Sequence, residues 1–307
     1  MLSPKHPFYS TSDFFKEKFG DRIIKLSINA GLSCPNRDGT LSDKGCIFCS
    51  EKGSGDFAGN KLESITEQIT KQKQIQAGKW SGNKYMAYFQ AFTNTYASVE
   101  RLRQLYDEAI SDNEVVALSI ATRPDCINKE IADLIKEYSS RVYTCVELGL
   151  QSSKEETVRL INRQYPDSAF SEAARLLNER GIDFITHIIL CLPNETREDM
   201  LNSIGFAIEN GTSGLKLQLL HILKDTPLSE YYSEKPFYIP TLEEYADLIV
   251  SLIEEIPPEI VIHRITGDGP KELLIAPKWT VNKRLVLGTI QKTFIERDTF
   301  QGKKLHK

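Results

Sequence analysis

Apolar, β-branched runs alternate with amphipathic stretches along most of this 307-residue chain, and that alternation constrains its fold more than any other feature. "RIIKLSINAGL", "KYMAYFQ", "VVALSIAT", "VYTCVELGL", "IDFITHIILCL" and "LKLQLLHIL" read as strands. "KLESITEQITKQKQIQ", "VERLRQLYDEAISD", "NKEIADLIKEYS", "SAFSEAARLLNERG" and "TREDMLNSIGFAIENG" read as the helices between them, the fourth closed by Gly181 and the fifth capped by Thr196. Six βα-type units demand right-handed crossovers and a parallel sheet, either open and doubly wound or rolled into a full or partial (β/α) barrel. A barrel gathers its chemistry at the C-terminal ends of its strands. Conspicuous polar groups stand there strand after strand: Cys34, "QAFTNTY", "TRPD", "ELGLQS", "CLPNET", and His221 with Lys224. The expected fold is therefore α/β, a partial (β/α)6 TIM-like barrel over residues 1–257, with "PPE" leading into a C-terminal extension over 258–307.

With 40% apolar and 26% charged residues the chain can bury a large core. No basic segment leads into an apolar run at the N-terminus, and nowhere do eighteen apolar residues run together, so no membrane span is expected and a cytoplasmic location follows. Net charge is -4, which gives no overall basic footprint for nucleic acid. The average hides a split. Residues 278–307 hold eight Lys or Arg against Glu296 and Asp298, a tail of +6 on a body of -10. Such a tail is either a solvated helix with a basic end or a site for an anionic partner.

Three of the six cysteines fall within sixteen positions in "SCPNRDGTLSDKGCIFCS", residues 33–50. In a reducing cytosol clustered thiols serve metals or redox chemistry more often than disulfides. Structural zinc would need a fourth ligand beside Cys34, Cys46 and Cys49, and no histidine lies in the loop. An iron-sulfur cluster tolerates the shortage, because an iron without a protein thiolate takes an exogenous ligand and becomes reactive. Cys126, Cys145 and Cys191 lie in or beside apolar strands, where a free cysteine behaves as a small hydrophobe.

A three-cysteine loop after the first strand, with Phe48 immediately before the last cysteine, resembles that of the radical S-adenosylmethionine (SAM) enzymes. The eleven residues between Cys34 and Cys46 are similar to the long gap in the Elongator catalytic subunit's radical domain and in the bacterial YhcC/YtqA (MnmL) type. "ATRPD" and "ELGLQS" resemble the Elongator third- and fourth-strand motifs, and Gln151 and Arg163 keep a separation that holds the cofactor in the coproporphyrinogen-oxidase branch. The resemblance implies a 4Fe-4S cluster on Cys34, Cys46 and Cys49, and S-adenosyl-L-methionine beside it. It implies Phe48 near the adenine, Gln151 near the ribose or methionine portion, and Arg163 on the methionine carboxylate, a bidentate task suited to guanidinium. Two departures stand out. The usual glycine-rich segment after the second strand is replaced by "QAFTNTY", leaving Gln90, Thr93, Asn94 or Thr95 to meet the methionine amino group. Elongator-like sequences carry Glu where this chain has Ala121, a contact that Glu147 could take over.

Arg123, Asp125, His221 and Lys224 are the candidate substrate-side catalytic groups. His187 and Arg264 are possible pocket residues, and Trp279 is either a base-stacking platform or core. The resemblance implies transfer RNA as substrate, with the wobble carboxymethylaminomethyl-uridine converted to aminomethyl-uridine, and a flavodoxin- or ferredoxin-like electron donor. A small-molecule substrate such as a porphyrinogen, and a non-catalytic metal-bound RNA-binding module, are the rivals.

Overall fold

The structure, a computed structural model, describes residues 2–80, 82–267 and 269–305. Its strands are β1 (Ile24–Ile28), β2 (Tyr85–Phe89), β3 (Val115–Thr122), β4 (Tyr143–Gln151), β5 (Asp183–Leu190), β6 (Gly214–Leu219), β7 (Ile222–Leu223), β8 (Val261–Arg264) and β9 (Leu274–Ala276). Its helices are α1 (Thr11–Phe19), α2 (Ile65–Ala77), α3 (Val99–Ala109), α4 (Lys129–Ser139), α5 (Glu155–Leu160), α6 (Asp167–Asn178), α7 (Arg197–Glu209), α8 (Pro227–Glu234), α9 (Leu242–Ile253) and α10 (Lys283–Glu296). Capping chemistry sets several starts. Ser64 with Glu67, Thr196 with Asp199 and Thr241 with Glu244 form reciprocal capping boxes, each satisfying two helix-end donors.

One seven-stranded sheet has the order β1-β2-β3-β4-β5-β6-β8, and β7 pairs with β9 in a separate antiparallel ribbon. The pairs β1–β2, β2–β3, β3–β4 and β6–β8 are parallel, as the βα alternation requires. Two expectations are corrected. "LKLQLLHIL" is not one strand: β6 stops at Leu219, and β7 leaves the sheet for β9, taking Lys224 with it. "IVIHR", read as the start of an extension, supplies β8, a seventh strand beside β6. Four residues are too few to show a strand period, and the "TGDGP" that follows masked the signal.

The chain divides into two compact units. The first, Phe15–Gly149 with Arg163–Ile185, carries β1–β3, most of β4, and helices α2–α4 and α6. Along β1 burial alternates, with Ile24, Leu26 and Ile28 in the core and Lys25 and Ser27 on the other, part-open face. Phe89, Tyr106 and Tyr138 continue that core in edge-to-face contacts, each with centroids 5.4 Å apart. The second unit, Met1–Phe14 with Leu150–Asn162 and Thr186–Lys307, holds β6–β9, most of β5, and helices α5 and α7–α10. Here buried Gln301 accepts from the Tyr9 N–H at 2.9 Å and donates to the Pro257 and Ile260 carbonyls at 2.6 and 2.8 Å. Trp279 is structural, with its indole N–H on the Pro240 carbonyl at 3.0 Å and its ring against Tyr245.

Candidate metal centre and cofactor site

The cysteine loop is held by its own backbone and by Asn36 and Arg37, two neighbours of Cys34 that no sequence motif singles out. The Arg37 and Asp38 N–H groups both donate to the Cys34 carbonyl, at 2.8 and 3.1 Å. The Asn36 amide donates to Cys46 Sγ at 3.4 Å, the kind of N–H···S contact that tunes metal-bound sulfur. The Arg37 guanidinium donates to the Cys49 carbonyl at 3.0 Å, and a Cβ on Gly45 would stand 2.7 Å from Arg37 Nε. Gly45, with φ +72°, is therefore required twice, for its conformation and for the side chain lying over it. "QAFTNTY", in place of a glycine-rich segment, closes on this loop: Phe92 lies over Gly53, its N–H donates to the Gly53 carbonyl at 3.0 Å, and the Thr93 N–H donates to the Ser33 carbonyl at 3.2 Å.

Cys34, Cys46 and Cys49 are all half-buried free thiols. The hydrogen bond from Cys46 holds the Cys49 thiol down, to about 7, with Arg37 and Arg123 helping against burial. That same bond and burial push Cys46 up, so the pair shares one proton. Cys126, Cys145 and Cys191 differ: burial pushes them up to about 12, 11 and 12, and they stay protonated. The loop thus holds one thiol drawn toward thiolate, Cys49, in hydrogen-bonded contact with Cys46, whereas Cys126, Cys145 and Cys191 are held protonated. Among the described residues no three His, Cys, Asp or Glu gather tightly enough for a single metal ion. The donor set still suits a cluster, which is larger than one ion and needs its thiolates further apart.

Arg123 and Asp125, after β3, form a bidentate pair at 3.0 and 2.7 Å. Arg123 also donates to the Arg163 carbonyl at 3.1 Å, and its guanidinium and that of Arg163 lie 4.7 and 4.4 Å from the Tyr165 ring. Arg163 is almost wholly buried, donating to the Tyr165 carbonyl at 2.8 Å and to Asp167 at 2.6 Å. Its charge therefore already has a carboxylate partner, which the sequence did not reveal.

Asn94 is fully buried; its amide N–H groups donate to the Ala91 and Ala121 carbonyls at 3.1 and 3.0 Å, which fixes the amide orientation. Asn94 Oδ1 has no partner among the described residues and is an acceptor suited to an ammonium group. Thr95 is spent elsewhere, on Thr122 at 2.6 Å and the Cys126 carbonyl at 2.8 Å. Gln90 bridges Ser27 and the Ser54 carbonyl. Glu147 pairs in register with Ala121, on the same face of the adjacent strand, where its carboxylate meets Lys25 at 3.1 Å and Ser119 at 3.0 Å. Phe48 is half-buried between Cys46 and Cys49.

The second unit holds the remaining candidates. Gln151 ends β4 with φ +62°, a left-handed conformation that costs a non-glycine residue energy and recurs at functional turns. His221 lies where β6 and β7 part, with Gly267 and Gly269 against its ring. Lys224 is exposed, and its N–H donates to the Leu273 carbonyl in the β7–β9 ribbon, away from the sheet. His187 contacts Gln218 at 3.3 Å.

Comparison with known proteins identifies the superfamily. The Radical SAM superfamily matches residues 34–207, and the Radical SAM C-terminal domain matches 212–296. The chain is 42% identical to the uncharacterized protein YtqA of Bacillus subtilis over 296 residues, covering 96% of this chain and 92% of that protein. It is 34% identical to YhcC of Escherichia coli over 267 residues, covering 87% and 85%. The fold resembles that of the archaeal Elp3 from Methanocaldococcus infernus, with a TM-score of 0.63 at 16% identity; the match covers 88% of this chain but 63% of that one. No described helix is long and apolar enough to cross a membrane. The cysteine loop, the seven-stranded sheet and these matches together make the chain a radical SAM enzyme on that superfamily's partial barrel, a relative of YtqA and YhcC.

Proposed function

We propose that this protein uses a 4Fe-4S cluster on Cys34, Cys46 and Cys49 to cleave SAM and modify the wobble uridine of transfer RNA, converting carboxymethylaminomethyl-uridine to aminomethyl-uridine. The chemistry supplied once cluster and SAM are bound is reductive cleavage of the sulfonium to methionine and a 5′-deoxyadenosyl radical. The observation that carries the reading is the division of the cysteines: Cys34, Cys46 and Cys49 share one strand-end loop, where an N–H···S contact reaches Cys46 and two cations help hold Cys49 down, while Cys126, Cys145 and Cys191 lie outside it as protonated thiols. Arg37 and Arg123 offset negative charge at the loop. Asn94 Oδ1 is suited to accept from the SAM ammonium, and Phe48 to cover the adenine. Gln151 and Arg163 keep the roles the resemblance gives them, Arg163 with Asp167 as a competitor for its guanidinium.

The RNA part of the reading rests on the resemblance to the Elongator radical domain and on the charge split. Within the tail, Lys278, Lys283 and Arg284 are exposed where α10 begins. Cations in a helix's first turn oppose its dipole, a cost of about 0.3–1 kcal/mol that a bound phosphate would reverse. A flavodoxin- or ferredoxin-like protein would deliver the electron.

The test is anaerobic purification with iron analysis. The protein should carry about four irons per chain. Ala at Cys34, Cys46 or Cys49 should abolish them, and Ala at Cys126, Cys145 or Cys191 should leave them. Equal loss at all six positions would overturn the cluster assignment. Mass spectrometry of transfer-RNA nucleosides with and without the protein then tests the substrate.

A further inference from the structure

The face of the first unit's sheet that carries Lys25 can be mapped row by row. Parallel register places Ser27, Tyr88, Ser119 and Cys145 side by side across β1–β4, with Lys25, Met86, Ala117 and Tyr143 one row nearer the strand starts. Ala121 and Glu147 stand one row nearer the strand ends. The Lys25 side chain runs diagonally up this face to Glu147, at 3.1 Å, passing the Tyr88 ring at 4.9 Å. Glu147 is fully enclosed, and Ser119 donates to the same carboxylate oxygen. Lys25 is not enclosed: 29% of its side chain remains accessible. An ammonium has three donors, and the carboxylate takes one of those on Lys25.

We infer that Lys25 anchors a carboxylate of the substrate, the terminal group of the wobble-uridine side chain, on this face of the sheet. The inference rests on the proposed RNA reading. Three physical points support it. The partner carboxylate is already shared with Ser119, so it fixes the Lys25 ammonium in place without saturating it. Tyr88 contributes its ring face, which stabilises the cation while adding no competing anion. The height is also right. Lys25 leaves the sheet near the start of β1, but its ammonium is carried up to the row of Ala121 and Glu147, toward the strand ends, the side from which the cysteine loop follows β1. A carboxylate there would share the ammonium with Glu147, and each would lie within a charge-assisted hydrogen bond. The methionine end of SAM also carries a carboxylate, so the experiment must separate the two sources.

Binding of anticodon stem-loops ending in carboxymethylaminomethyl- or aminomethyl-uridine should be measured with the cluster-loaded protein, and SAM binding in parallel. The native protein should prefer the carboxylate-bearing loop roughly 10- to 100-fold, the range for a hydrogen bond to a charged group. Lys25→Gln can still donate to Glu147 but carries no charge; it should erase that preference, and Lys25→Arg should restore part of it. A preference retained in Lys25→Gln overturns the inference while leaving the RNA reading intact. Loss of SAM affinity equal to the loss for the carboxylate loop would assign Lys25 to the cofactor and overturn it equally. Native protein that binds neither loop defeats the RNA reading itself, and the inference with it.

Discussion

At the residue scale, Arg163 shows how a motif position acquires a structural duty. The separation between Gln151 and Arg163 marks it for a ligand carboxylate, yet Asp167 and the Tyr165 carbonyl already receive its N–H groups inside the first unit. Removing one member of a buried, hydrogen-bonded pair leaves the other uncompensated. Arg163→Ala should therefore destabilise the fold by about 3 kcal/mol in a urea titration, in addition to any effect on SAM. Asp167→Ala separates the two duties. Half-open Asp167 can be lost at smaller cost, and the freed guanidinium should then bind SAM at least as tightly as before. Weaker SAM binding in Asp167→Ala would show that Asp167 serves the site rather than competing with it. Lys25 makes the converse point. In "RIIKLSIN" it reads as an ordinary break in an apolar run, and only the strand register shows it aimed at Glu147.

At the scale of elements, the turns after β4 and β5 are tied together within the second unit. Ser152 donates to Glu195, the Lys154 N–H donates to Ser152 Oγ at 3.0 Å, and Lys154 Nζ reaches Asp199 at 2.9 Å and the Asn194 carbonyl at 3.0 Å. Burial pushes the Glu195 carboxyl up to about 7, against the pull of Ser152 and Thr157. Because its folded value lies above the unfolded one, near 4.5, the folded state binds the extra proton between them. The contribution is fully present below about pH 4.5 and lost as pH rises through about 7. Allowing for the partial exposure of this group, the loss should be about 1–2 kcal/mol. Chemical denaturation at pH 5 and pH 8 should show it, and Glu195→Gln should flatten the difference. A difference unchanged in Glu195→Gln would place the titration elsewhere.

At the scale of the whole molecule, the basic tail is less available than its composition suggests. Arg297 binds Glu254 at 2.9 Å and Asp247 at 2.8 Å, Lys304 also binds Glu254 at 2.5 Å, Lys303 pairs with Asp298, and Lys292 pairs with Glu296. Lys307 lies outside the described residues. Neutralising Lys278 and Arg284 should weaken binding to transfer RNA and reduce its salt dependence by up to about two units. Neutralising Lys303 and Lys304 should matter less for RNA and more for stability, since Glu254 would lose a partner. Equal effects from the two sets would show that the tail's ion pairs open on binding. The contrast between tail and body was visible in the sequence, but the pairing of Arg297 and Lys304 within the chain was not, because their acidic partners lie up to fifty residues away.

The same division runs through the rest of the protein. Strand and helix order, the helix cap at Thr196, the cysteine loop and the "ELGLQS" turn were legible because each is written locally, in the period of apolar residues or the chemistry of a few neighbours. Tertiary structure decided what depends on distant partners. It recruited the four residues of β8 as a seventh strand, since a sheet edge can pair with a segment too short to announce itself. It parted β7 from β6 and moved Lys224 to the ribbon. It gave Arg163 a carboxylate, set Glu147 opposite Ala121, and brought Lys25 across 122 residues to meet it. A sequence fixes the pattern that faces a strand's two sides. Which charges meet on one of those sides is set by register, and register exists only once the strands have paired.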